Sequence, residues 1–172
     1  MAFHGSSNNI VQVKSTTTNS IWTASVGSNT YTEVGSLNIS IAPKFSTSNV
    51  LLLLTVSYDW DRDNGGGGFI FYRGNTKLTN AIGNSYSNMY QVSSGMMANP
   101  NHDQTIMNNT LMFLDGPGTT SSITYKVRVH NCNDGGNRRI VVNGARAGNG
   151  TISNQWDDGR AISTYVAMEI AA

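Results

Sequence analysis

The sequence predicts an all-β protein, an antiparallel sandwich or barrel, on three observations. Apolar residues recur with a period of two rather than 3.6 along almost the whole chain. The runs are short and separated by Asn-Gly and Asp-Gly pairs, which supply the positive φ angles that tight hairpins require. No window shows the i, i+3, i+4 spacing of an amphipathic helix.

In chain order, residues 1–9 read as a polar arm and residues 10–172 as one β-sandwich domain. Strands are expected at 10–13 and 21–26. In the next run Leu37, Ile39 and Ile41 alternate with Asn38 and Ser40 until Pro43 stops it. The apolar stretch 50–54 continues as Val56, Tyr58 and Trp60, alternating with Thr55, Ser57 and Asp59. Further strands are expected at 69–72, 89–92 and 105–114. Ile123, Tyr125, Val127 and Val129 then alternate with Thr124, Lys126 and Arg128. A strand at 139–142 precedes the last one, in which Ile162, Thr164, Val166, Met168 and Ile170 share a face. Turns fall at Asn64-Gly65, Asp115-Gly116-Pro117-Gly118, Asp134-Gly135-Gly136, Asn143-Gly144, Asn149-Gly150 and Asp158-Gly159. The tally is about ten short strands. Several alternate so cleanly that one face of each sheet is either wet or meets a partner.

A chain of 172 residues buries enough surface, about 70% of what its unfolded form exposes, to fold without disulfides or metal. One cysteine, Cys132, excludes an intrachain disulfide. The formal net charge of +1 and the lack of a Lys/Arg block argue against a nucleic-acid partner. The longest apolar run has five residues, 50–54, far short of the about 18 that span a bilayer, so no membrane partner is expected. The N-terminus shows no basic segment followed by an apolar one, and no Sec export is expected. The charged fraction is 12%, against about 25% in an ordinary soluble protein. A surface of Ser, Thr, Asn and Gly suits a protein in contact with copies of itself or with fixed neighbours.

Candidate sites dissolve one by one. Asp59, Asp61 and Asp63 resemble the start of a calcium loop, but Asn64 holds its glycine slot and Ile70 its closing carboxylate position. With Ser57 they continue the polar alternation of the strand, so they read as a solvent-facing strand edge. The run Gly65–Gly68 then reads as a flexible hairpin loop; without a following Lys-Ser/Thr it is not a phosphate loop. His4, His102 and His130 lack metal-ligand spacing, and His130-Asn131-Cys132 reads as strand-end residues pointing to different faces. Glu33 and Glu169 lie in separate strands and offer no acid/base pair, and no nucleophile elbow is present. No catalytic residue, cofactor or metal is expected. Asn154, Trp156 and Asp157 combine an aromatic face with amide and carboxylate groups, the composition of a glycan contact.

Three segments together resemble a known family: 36–50 (SLNISIAPKFSTSNV), 113–129 (FLDGPGTTSSITYKVRV) and 161–170 (AISTYVAMEI). Their order is similar to that in a domain of virion structural and tail-fibre proteins of phages, notably those of marine bacteria and cyanobacteria. That pattern also places a glycine-rich turn, an aromatic strand and an Arg-Gly pair where Gly65 to Gly74 stand. The resemblance implies a jelly-roll-like β-sandwich that trimerises on the particle surface and has no catalytic residues. Family members often carry the domain at the end of a long fibre, whereas here it fills nearly the whole chain. The Asp59, Asp61, Asp63 run is foreign to the pattern, so no ligand is carried over.

The expected function is therefore that of a non-enzymatic virion protein exposed on the phage particle. It is a homotrimeric knob, either a capsid decoration (cement) protein or a short tail-fibre or spike subunit. Its expected partners are its own copies and the major capsid protein or tail components. Tyr165, Val166 and Met168 of the last strand are expected at or near the trimer interface. The alternative is a receptor-binding module that engages a host surface glycan through Trp156, Asn154 and Asp157.

Overall fold

Period-two runs can bury one face only by pairing into sheets and packing those sheets together. In the computed structural model, which describes residues 9–60, 66–96, 105–132, 136–145 and 159–171, they do so as eleven strands in two antiparallel sheets. The strands are β1 (Ile10–Thr18), β2 (Trp22–Val26), β3 (Tyr31–Ile41), β4 (Asn49–Trp60), β5 (Gly67–Arg73), β6 (Thr76–Lys77), β7 (Ser94–Met96), β8 (Met107–Asp115), β9 (Ile123–Asn131), β10 (Arg138–Val142) and β11 (Ser163–Ile170). One 3-10 turn, Thr79–Ala81, is the sole helical element among the described residues.

The first sheet is organised around β4, the longest strand at 12 residues. Along one side β11 pairs with its first half, from Asn49 to Thr55, and β10 with its end, from Tyr58 to Trp60. Along the other side β8 pairs from Val50 to Tyr58. Strand β1 lies outside β11, and β2 outside β10. The second sheet runs β3-β9-β5, with β6 and β7 sharing the far edge of β5.

The inward faces form the core. Val50, Leu52, Leu54 and Val56 of β4 meet Phe69 and Phe71 of β5 and Tyr125, Val127 and Val129 of β9, all without solvent exposure. Phe71 stacks on Tyr165 across the gap, ring centroids 5.9 Å apart. Each large apolar side chain buried this way contributes roughly 1.5–3 kcal/mol.

Two hydrogen-bonded nodes tie distant strands together. The Glu169 carboxylate, fully buried on β11, accepts from the backbone N–H of Lys44 at 2.7 Å and Phe45 at 3.2 Å and from Gln12 Nε2 at 2.7 Å. It thereby clamps the turn after β3 and strand β1 onto β11. Asn143, with φ 63° in the expected Asn-Gly turn, donates through Nδ2 to the carbonyls of Thr18 and Ser20 and accepts from Ser163 Oγ at 2.6 Å.

In the fold itself the structure departs from the sequence expectations in three places. Residues 89–92 form no strand. Val92 instead plugs against Gly68, and the third partner of β5 is β7. Gly67 and Gly68 belong to β5 rather than to a loop. A Cβ on Gly67 would fall 2.8 Å from Met96 Cε and 2.9 Å from the Trp60 ring, and one on Gly68 would collide with the Val92 isopropyl group. These glycines provide close approach, not freedom. Finally, Ser57 and Asp59 are 3% exposed, not solvent-facing. The chain returning into β11 covers Ser57, whose N–H donates to Ser163 Oγ at 3.0 Å and whose Oγ donates to the Ile162 carbonyl at 3.0 Å.

Candidate functional site

The two outward sheet faces differ in kind. On the second sheet, the outward face of β3, β5 and β9 carries charged side chains and is partly covered. Lys126 pairs with Glu33 at 3.0 Å, and the Arg128 guanidinium lies 4.3 Å from the centre of the Tyr72 ring. Tyr31 stacks on His130 at 4.2 Å, and Tyr90, from the segment that follows the 3-10 turn, meets the same imidazole edge-on at 5.2 Å. Ile70, which faces outward, is fully buried.

The outward face of β1, β11, β4 and β8 is built oppositely. Antiparallel register places directly opposed residues on one face, so the pairings define rows that cross all four strands. The first row is Val13, Met168, Leu51 and Leu114. The second is Ser15, Val166, Leu53 and Met112, and the third is Thr17, Thr164, Thr55 and Thr110. None of these twelve side chains is charged, and seven are large and apolar. Leu51, Leu53, Val166 and Met168 in the middle are half-buried by one another, while Val13, Met112 and Leu114 at the two edges are 52%, 69% and 51% exposed. A contiguous apolar patch of this extent marks an interaction surface.

The edges differ as well. Strand β1 carries Lys14 and a register shift between Ile10 and Gln12, both devices that discourage pairing with another chain. Strand β8, nine residues long, holds no charge before its final Asp115 and, among the described residues, pairs in regular register with β4 alone.

The residues singled out in the sequence are placed as follows. Val166 and Met168 lie in the uncharged face. Tyr165 points the other way, into the core, without exposed surface; its hydroxyl finds no hydrogen-bond partner, and burial pushes its pKa up. Asn154, Trp156 and Asp157 lie outside the described residues, as do Asp61, Asp63, His4 and His102. Glu33 lies on β3 in the second sheet and Glu169 on β11 in the first.

His130 and Cys132, two positions apart, contact each other, with Sγ 3.3 Å from Nδ1, instead of pointing to different faces. The alternation of a strand puts every second residue on one side, which explains the correction. The contact is not an activated pair. Burial pushes the Cys132 thiol up to about 11, and burial followed by the Lys77 ammonium pushes His130 down, so both stay neutral at pH 7. Among the described residues no group of three or more His, Cys, Asp or Glu is placed to hold a metal.

A cleft of about 180 Å³ opens between Phe113 and Asp115 of β8 and the stretch from Arg73 to Asn80. Its polar groups answer one another: Tyr125 Oη donates to Asp115 Oδ2 at 2.7 Å, and Arg73 lies 3.7 Å from the same oxygen.

Sequence reasoning missed Val13, Leu51, Leu53, Met112 and Leu114. A signal was present, because residues 50–54 and 111–114 are continuous apolar runs, which mean burial on both faces of a strand.

No protein-family model matches the chain, and no curated protein matches it in sequence. Among the solved structures that resemble it are the following two. The structure of infectious bursal disease virus Gt strain has 11% identity and a TM-score of 0.47, over 94% of this chain and 38% of that one. The crystal structure of the infectious bursal disease virus VP2 subviral particle has 12% identity and a TM-score of 0.40, over 95% of this chain and 38% of that one. The chain spans less than two fifths of the length of either. Neither likeness supplies a residue correspondence or a role.

Proposed function

We propose that this protein is a non-enzymatic structural component of a phage particle. It is a homotrimeric β-sandwich knob on the virion surface, either a capsid decoration (cement) protein or a short tail-fibre or spike subunit, in contact with the major capsid protein or with tail components.

The uncharged outer face of β1, β11, β4 and β8 carries this reading. A protein that worked alone in solution would place charge there, as this one does on its other sheet. The three segments that resemble virion proteins support it in a second way. Segment 36–50 is clamped to 161–170 through Glu169, and 113–129 closes on itself through Tyr125 and Asp115. The shared residues thus build scaffold rather than a reaction centre, as expected of a part whose task is to present and hold a surface.

Quantitative mass spectrometry of purified particles tests the proposal. Hundreds of copies per particle would assign it to the head and a few trimers to the tail. Its absence from particles would overturn the reading.

A further inference from the structure

We infer that the cleft between β8 and the β5–β6 hairpin is a sugar-binding site that takes one neutral pyranose unit of a glycan. The Asp115 carboxylate and the Arg73 guanidinium meet its hydroxyls, and Phe113 meets its C–H face. The inference goes beyond the structural role proposed above. It rests neither on the oligomeric state nor on where in a particle the protein sits.

The cleft is a gap that the fold leaves open. Strand β8 lies at an edge of the first sheet, and β6 and β7 at the edge of the second. Near the start of β8 the two edges are tied together. Asn109 Nδ2 donates to the Gly95 carbonyl of β7 at 2.8 Å, and Ser94 Oγ donates to Asn109 Oδ1 at 2.7 Å. Phe113 and Asp115 lie on the same side of β8 as Asn109, by the alternation of a strand. Beside them the gap is about 180 Å³. That is the volume of about six waters at about 30 Å³ each, and it is below the roughly 300–1,000 Å³ that encloses a drug-sized ligand. One ring fits, with any further units outside.

The walls are held in place by the fold. Leu78 is buried, its N–H donates to the Phe71 carbonyl at 3.1 Å, and its own carbonyl accepts from Ala81 N–H at 3.0 Å. These bonds fix the 3-10 turn that carries Thr79 and Asn80. On the other wall, Tyr125 Oη holds Asp115 Oδ2 at 2.7 Å. Groups positioned beforehand lose little freedom when a ligand arrives.

The chemistry of the lining selects the ligand class. Both side-chain contacts of Asp115 fall on Oδ2; Oδ1 has none among the described residues and is not sealed from solvent, so it remains an open acceptor. Arg73 is 35% exposed, and its Nη1 stands 3.7 Å from Oδ2, too far for a hydrogen bond, so its donors remain available. The two charges offset each other, and a lone anion or cation would meet its like beside its opposite. A hydroxyl is both donor and acceptor, so two neighbouring hydroxyls of a ring answer a carboxylate and a guanidinium side by side. Exposed Thr76, Thr79 and Asn80 offer the same two-way hydrogen bonding at the mouth. Phe113, partly buried against the core, and Leu78 add an apolar patch that the C–H groups of a pyranose cover.

Saturation-transfer NMR on the full-length protein tests the inference. The probes are the methyl glycosides of glucose, galactose, mannose and N-acetylglucosamine, with methyl glucuronide as the charged counterpart. At least one neutral glycoside is expected to bind, and the glucuronide to bind more weakly. Arg73→Met is expected to weaken that binding at least about tenfold, as the loss of a hydrogen bond to a charged group does, while circular dichroism stays unchanged. Asp115→Asn, which keeps an acceptor for Tyr125 but removes the charge, is expected to do the same. If that variant does not fold, Arg73→Met decides alone. Trp156→Ala is expected to leave binding intact. Silence from all four neutral glycosides, binding that survives Arg73→Met, a preference for the glucuronide, or loss with Trp156→Ala but not with Arg73→Met would each overturn it.

Discussion

At the scale of single residues, the buried tyrosines show how partner geometry decides the sign of a substitution. Tyr125 and Tyr165 both face the core without exposed surface, but only Tyr125 has a partner, donating to Asp115 at 2.7 Å. Removing a satisfied hydroxyl strands its acceptor, whereas removing an orphaned one relieves a desolvation cost. Tyr125→Phe is therefore expected to lose about 1–3 kcal/mol in urea unfolding, and Tyr165→Phe to be neutral or to gain about 1 kcal/mol. A large loss at Tyr165→Phe would show that the hydroxyl has a partner in solution. None of this could be read from the sequence, where both tyrosines sit at equivalent positions of clean alternations.

At the scale of elements, the glycine run shows how a single strand is specified by what approaches it. The sequence shows four glycines and suggests a flexible loop. The structure puts Gly67 and Gly68 in β5, under Met96, Trp60 and Val92, and leaves open space around Gly66. Gly68→Ala is expected to cost about 1–3 kcal/mol through overpacking, and Gly66→Ala to stay within about 0.5 kcal/mol of the parent. Thermal melts of the two variants check this, and equal melting temperatures would contradict it. The same logic explains why β7 rather than 89–92 pairs with β5. Val92 serves as a side-chain plug over Gly68, a contact made across the fold that no local propensity encodes.

At the scale of the whole molecule, two buried titratable groups make the fold sensitive to acid. Burial, helped by Lys77, holds His130 below its ordinary value of 6.5, so an unfolded chain binds a proton that the folded one resists. Stability is expected to fall as pH drops below 6.5. Burial alone would raise the Glu169 carboxyl, but the hydrogen bonds from Gln12 and from the backbone of Phe45 and Lys44 outweigh it and hold the group below 4.5. Its contribution is present above 4.5 and is lost as pH falls through the lower folded value. Melting temperatures measured from pH 8 to pH 3 are expected to decline in two stages, and His130→Gln is expected to remove the first. A flat profile between pH 7 and pH 5 would refute the assignment to His130.

The sequence by itself determined the all-β class, the antiparallel pairing, most strand positions and the sharing of one strand face by Val166 and Met168. Those features follow from period-two alternation and local turn chemistry, which neighbouring residues impose on one another. Only the tertiary structure decided that Val13 of β1, Met168 of β11, Leu51 of β4 and Leu114 of β8 lie in one row, and that Asp59 is buried. A row across four strands depends on register between segments as far apart as Val13 and Met168, 155 residues along the chain. Register is set by the packing of whole faces, and a shift of one residue would turn each of those side chains to the other side.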